Sequence, residues 1–217
     1  VRVQSRNGYF ALPPGVGMNV APHEIPLLAA VDTRPSSFPF QYGLYQMASS
    51  GAGAAAKVSG EVVVEVPLGA VELEEDPAAR LFRMKLAFLV QFRNRAGEVI
   101  HKTRRDLAQA GPLDQIGRAK AGNFIWTQQF EVPAGEYTAH FVVMDRISEK
   151  VSTGRKEWSA SPGAISDLVV VRRVEQIQGK SWLTTDQLRV VPSFAEQLNA
   201  ESGQISLFFR VQPQPGE

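Results

Sequence analysis

Three histidines, His23, His101 and His140, are the residues of this chain whose chemistry suits metal binding or proton transfer near neutral pH. They stand far apart, and none falls in an HExxH or HxH pattern, so each reads as a surface or strand residue. The acidic group Glu72, Glu74, Glu75 and Asp76 has the charge to collect calcium. It lacks the alternating Asp/Asn and Gly positions of a calcium loop and reads as a solvated turn. The stretch SGAGAAA (50–56) is small enough to approach a phosphate, yet it lacks the Lys-Ser/Thr of a phosphate loop and reads as a hairpin tip. No GxSxG elbow is present. The absence of cysteine from all 217 residues excludes disulfides, thiolate zinc sites and a cysteine nucleophile. The expectation is a chain with no catalytic residues, no metal site, no cofactor and no assignable ligand-binding residues.

Binding chemistry is equally sparse. Lys plus Arg (23) nearly balances Asp plus Glu (22), so there is no global field to attract nucleic acid or an anionic membrane. The local runs Lys102-Thr103-Arg104-Arg105 and Arg172-Arg173 are short. Anion binding requires several convergent cations, so both runs read as solvated faces. No apolar run of about 18 residues occurs, so no spanning helix is expected. Trp126, Trp158 and Trp182 are the residues on which a sugar ring could stack. Trp126 falls on the apolar face of its strand and reads as core; Trp158 and Trp182 sit beside polar residues and read as interdomain packing, with a ligand platform as the alternative.

The elements that would position these residues are strands. In LFRMKLAFLVQF (81–92), Phe82, Met84, Leu86, Phe88, Val90 and Phe92 alternate with a more polar face. In VSGEVVVEV (58–66), Val58, Val62, Val64 and Val66 oppose Ser59, Glu61 and Glu65. The segment FIWTQQFEVPAGEYTAHFVVMD (124–145) alternates on both sides of a PAGE turn and reads as a β-hairpin, with Gly135 supplying backbone freedom. Tyr137 is either a tyrosine corner or ordinary core. With 38–47, 98–105 and 151–158, this gives seven strands and little helical periodicity beyond HEIPLLAAV (23–31). The pattern predicts an all-β, immunoglobulin- or fibronectin-III-like antiparallel sandwich. Residues 106–122 read as a long connector.

Domain organisation follows from composition. Residues 1–11 form a strand followed by a Pro/Gly break, 12–37 a linker with a short helix, and 38–160 the sandwich. Residues 161–217 follow the Ser159-to-Gly163 boundary and carry three more strand candidates: 168–171, 188–191 and 205–211. Three strands seldom stand alone. They either complete the first sheets or open a second β domain.

Several segments together resemble the region after the type A domain in the "VWFA-related" (von Willebrand factor type A) proteins of Acidobacteria. VRVQSRNGYFALP is similar to the strand that closes that domain, and IPLLAAVDTRPSSFPFQYGLYQ to the helix and strand entry that follows. VPAGEYTAHFVVMD is similar to the family's "PPGRYTLRVAVRD" segment, and ISDLVVVRRV, LRVVPSF and ISLFFRVQP to its late strands. Asp32-Thr33-Arg34-Pro35-Ser36 misses the metal-binding DxSxS of the type A domain itself, with Arg34 in the place of the first Ser. The resemblance implies an exported bacterial protein, extracytoplasmic, whose type A domain lies upstream and of which residues 1–11 are the closing strand. The alternating strands, the absent catalytic motifs and the near-zero net charge point to a noncatalytic structural or protein-interaction module beside that domain, with a protein partner in the same chain or in the envelope. A carbohydrate-binding module is the alternative, and it requires at least two coplanar exposed aromatics.

Overall fold

The computed structural model describes residues 24–176, 183–185, 188–194 and 204–212. The expected readings of His23, Trp182 and residues 1–11 lie outside these residues. The chain enters as α1 (Glu24–Thr33), then β1 (Gln41–Ser50), β2 (Lys57–Pro67), a short β3 (Glu74–Asp76), β4 (Leu81–Asn94) and β5 (Val99–Pro112). After α2 (Ile116–Lys120) come β6 (Asn123–Pro133), β7 (Gly135–Asp145) and β8 (Val151–Ala160). The remaining strands are β9 (Val169–Gln176), β10 (Thr184–Thr185), β11 (Leu188–Pro192) and β12 (Ser206–Phe208).

Every pairing between these strands is antiparallel. β1, β2 and β6 form one sheet, in that order. In the facing sheet β5 takes one edge of β4 along residues 81–93, while the other edge is shared by β3 at 81–83 and β7 at 86–94; β8 follows β7. This is the expected sandwich of seven main strands. Its core is built from the alternating residues of both sheets, among them Val62, Val64, Leu86, Phe88, Phe92, Trp126, Phe130 and Phe141. Phe88 stacks on Trp126 with ring centroids 4.8 Å apart. Tyr42 stacks on Phe141 at 4.5 Å and lies so close over β8 that a Cβ on Gly154 would meet its ring at 2.2 Å.

The segment 124–145 is not a hairpin. β6 pairs with β2 and β7 pairs with β4 and β8, so the Pro133-Ala134-Gly135 bend carries the chain from one sheet to the other. Alternation on the two sides of the bend is the same in either arrangement, because both strands point their apolar residues into one core. Gly135 stands at φ 159°, nearly extended, rather than in a left-handed turn. Tyr137 resolves as a tyrosine corner: its hydroxyl donates to the Pro133 carbonyl at 2.8 Å and holds the crossover, and burial raises the phenol's pKa. The SGAGAAA stretch does connect two paired strands, with Ser50 opposite Lys57. Residues 106–112 are strand rather than connector, because β4 is long enough to pair with them as far as Leu81 opposite Pro112.

Both sheets are covered again on their outer faces. α1 lies on the β4–β7 surface, packing Leu27, Ala30 and Val31 against Ala87, Leu89 and Val142. The last strands make their own sheet, in the order β10, β11, β9, β12, and it extends neither sheet of the sandwich. Instead it packs over β1–β2–β6, where Val169, Leu183 and Val190 meet Met47 and Val63. Met47 is the extra residue of a bulge in β1, between Gln46 opposite Gly60 and Ala48 opposite Ser59. Asp167 clasps the layer on, accepting from the Gln46 N–H at 2.7 Å while its own N–H donates to the Gln46 carbonyl at 2.8 Å.

Truncation of the central ring, Phe88→Ala, is expected to lower unfolding free energy by about 3 to 5 kcal/mol. A urea midpoint unchanged from wild type would refute its place in the core. Tyr137→Phe removes only the bond to Pro133 and is expected to cost about 1 kcal/mol in the same measurement.

Candidate functional site

The residues singled out from sequence are dispersed, and most are engaged in holding the layers together. Among the acidic group, Glu74 meets Lys85 at 2.8 Å and Asp76 meets Arg83 at 3.0 Å across the β3–β4 pairing, so these carboxylates turn to cations on β4 and not to one another. The Glu72 N–H donates to Asp145 Oδ2. Asp145 is buried, and it also accepts from Ile147 N–H and the Ser148 hydroxyl, which ties down the β7–β8 turn. His101 packs against the Phe92 ring at 5.7 Å, and burial holds its imidazole below the usual pKa.

The basic runs are not simple solvated faces. Lys102 and Arg104 reach from β5 to Glu24, whose carboxylate is fully buried at the start of α1; Lys102 Nζ lies 2.6 Å from it. Arg172 binds Glu65 at 2.5 Å, and Glu65 also accepts from Asn123 Nδ2 at 2.6 Å. Glu61 accepts the Leu183 N–H at 3.1 Å. Both Glu61 and Glu65, on the β2 face opposite the core valines, are 1% exposed, because the β9–β12 sheet lies over them. Burial and the nearby Asp167 carboxylate push the Tyr45 phenol up to about 12 at the same seam.

The tryptophans do not form a sugar platform among the described residues. Trp126 is core, as expected. Trp158 turns inward to stack on Tyr137 at 6.1 Å and meet Phe130 edge-on at 5.4 Å. It is therefore packed within the sandwich rather than between domains. The signal for this lay in register, since Trp158 stands opposite Tyr137 and shares its face. The exposed apolar residues are mostly aliphatic, including Ile205, Leu207, Phe209 and Val211 along and beyond β12.

One surface groove collects functional groups that sequence spacing does not connect. α1 covers only part of the outer face of β4–β7–β8. Beyond its C-terminal end, a groove of about 440 Å³ is lined by Arg34, Arg93, Arg95, His140, Arg155 and Glu157, among others. Register brings them together: Gln91 lies opposite His140, Arg93 opposite Thr138, and His140 opposite Arg155. Glu136 lines the groove along with Glu157, Asp32 pairs with one of its arginines, and each of these three carboxylates is engaged. Asp32 meets Arg93 at 3.4 Å, Glu157 meets Arg155 at 2.5 Å and accepts from the Thr138 hydroxyl, and Glu136 accepts from the Ser159 hydroxyl. Burial, with the guanidiniums of Arg93, Arg155 and Arg34, holds the His140 imidazole below its usual pKa.

No protein-family model and no curated protein matches this chain. Part of its backbone is similar to solved structures at low scores. A β-glucuronidase of glycoside hydrolase family 2 matches with 12% identity and a TM-score of 0.34, over 54% of this chain and 11% of that one. A Bacteroides uniformis β-glucuronidase matches with 7% identity and a TM-score of 0.34, over 54% of this chain and 13% of that one. A structural-genomics target, SoR45, matches with 9% identity and a TM-score of 0.35, over 58% of this chain and 89% of that one. The chain thus spans about an eighth of the glucuronidases' length, and neither identity nor overlap carries their chemistry over to it. Among the described residues no helix is long and apolar enough to cross a membrane.

Lys102→Gln combined with Arg104→Gln leaves the buried Glu24 carboxylate without its two cations, and is expected to destabilise the fold by about 3 kcal/mol. Chemical denaturation monitored by tryptophan fluorescence checks this. An unshifted midpoint would show that α1 docks without the ion pairs.

Proposed function

We propose that this chain is a noncatalytic β-sandwich module that serves as a structural and protein-interaction element of an exported bacterial protein related to the von Willebrand type A proteins. The observation that carries the binding role is the groove beside α1, where guanidiniums from separate elements converge on one open surface. The nearby Asp32, Glu136 and Glu157 are held by arginine or hydroxyl partners, an arrangement suited to holding a ligand rather than to exchanging protons with one. The exported, extracytoplasmic setting is supported by the ordered resemblance of segments along the chain, from VRVQSRNGYFALP to ISLFFRVQP.

Fractionation of the source cells with an antibody against this chain tests the setting. The antigen is expected in the periplasm, envelope or medium, joined to an upstream domain bearing a DxSxS sequence. A purely cytoplasmic antigen, or a reading frame with no such domain, would overturn the exported type A context. A glycan array is expected to be silent; binding there by the aromatic side chains of the sandwich would replace the protein-interaction role with a carbohydrate-binding one.

A further inference from the structure

We infer that the groove at the end of α1 is a binding site for carboxylate side chains, and that its ligand is an acidic segment of a partner protein. This rests on the reading of the chain as a protein-interaction module. Arg34 comes from the residue after α1, Arg93 from the end of β4, Arg95 from the β4–β5 turn and Arg155 from β8. Sequence spacing gives no hint of the convergence, which is what separates this cluster from the short basic runs elsewhere.

The donors available to a ligand can be counted one by one. Arg155 and Arg93 are each partly used by Glu157 and Asp32. Arg93 also donates from Nη2 to Gln91 Oε1 at 3.3 Å, so that guanidinium is held in place from two sides. Arg34 and Arg95 are exposed and meet no carboxylate among the described residues. Arg34 also holds a left-handed backbone, φ 52°, at a helix-ending position where glycine or asparagine is the usual residue. Its N–H caps the Ala30 carbonyl at 2.9 Å and the Thr33 hydroxyl donates to the Ala29 carbonyl. One of the carbonyls that would repel an anion at this helix end, that of Ala30, is therefore already bonded. Burial first, and the guanidiniums of Arg93, Arg155 and Arg34 after it, hold the His140 imidazole in this groove below its usual pKa.

The class of ligand follows from what lines the site. Guanidinium forks match planar carboxylates in bidentate geometry. A saccharide would need an aromatic face to stack on, and the one tyrosine lining the groove, Tyr137, is buried and committed to the crossover. The groove is open and polar, as a surface for an extended peptide must be.

A capped hexaglutamate peptide, titrated calorimetrically onto the whole chain at low ionic strength, tests the assignment. Binding is expected to weaken about tenfold or more in Arg34→Asn/Arg95→Gln, since each removes charged hydrogen bonds. Asparagine suits the left-handed backbone at 34, and thermal melts matching wild type show that the variant is folded. Glu157→Gln, which frees Arg155, is expected to tighten binding, and Arg118→Gln on α2 to leave it unchanged. Equal binding by wild type and the Arg34/Arg95 variant, or no binding at low salt, overturns the site. If a sulfated oligosaccharide binds through Arg34 and Arg95 while the peptide does not, the acidic-peptide assignment falls. Failure of the peptide with the antigen still found outside the cytoplasm removes this site and leaves the exported-module reading intact.

Discussion

The structure depends on covering two strands that are apolar or sealed on both faces. β2 and β4 each lie in the interior of their sheet, with β1 and β6 flanking one and β5 and β7 the other. Their inward residues build the sandwich core, and their outward residues, Val63 on β2 and Ala87 and Leu89 on β4, are as completely buried. A two-layer sandwich would leave those residues in water. α1 and the β9–β12 sheet are therefore integral packing layers, each burying apolar surface that a single core cannot reach.

Covering the outer faces brings charge inside. Glu24, Glu61 and Glu65 are all 1% exposed or less, and a buried carboxylate is tolerated only with cations or N–H donors against it. Lys102 and Arg104 answer Glu24, Arg172 and Asn123 answer Glu65, and the Leu183 N–H answers Glu61. Glu65 takes both bonds on Oε1, from Arg172 on the covering sheet and from Asn123 of β6 in its own sheet, and contacts of this kind fix position more than they add net stability. The edge of β8 is secured in a related way: Ser152 Oγ donates to the Phe38 carbonyl and accepts the Phe38 N–H, so residues 35–38 cover an edge that would otherwise be open.

The groove exists because the outer covering is incomplete. α1 is ten residues long and ends before it reaches the tips of β4, β7 and β8. The outward residues beyond it, Arg93, Thr138, His140, Arg155 and Glu157, are polar, as an uncovered sheet face requires. The loop at Arg34 adds a further guanidinium from the helix side. Fold and candidate site thus have one cause, the length of the helix set against the length of the strands.

The sequence by itself determined the all-β class and the seven sandwich strands, since period-two alternation in 58–66, 81–92 and 124–145 needs no knowledge of partners. It also located the residues that face the core, Phe88 and Trp126 among them. Only the tertiary structure decided which strands pair. Inward alternation is identical for a hairpin and for a crossover between sheets, so 124–145 could not reveal that β6 and β7 lie in different sheets. It likewise decided that Glu61 and Glu65 are buried and that Lys102 and Arg104 are ion-paired, because a polar face reads as solvated until a distant segment is laid over it. The meeting of Arg34, Arg93, Arg95 and Arg155 belongs to the same class of fact. Proximity across 121 positions of sequence is set by register and layer stacking, and neither is written in any local spacing.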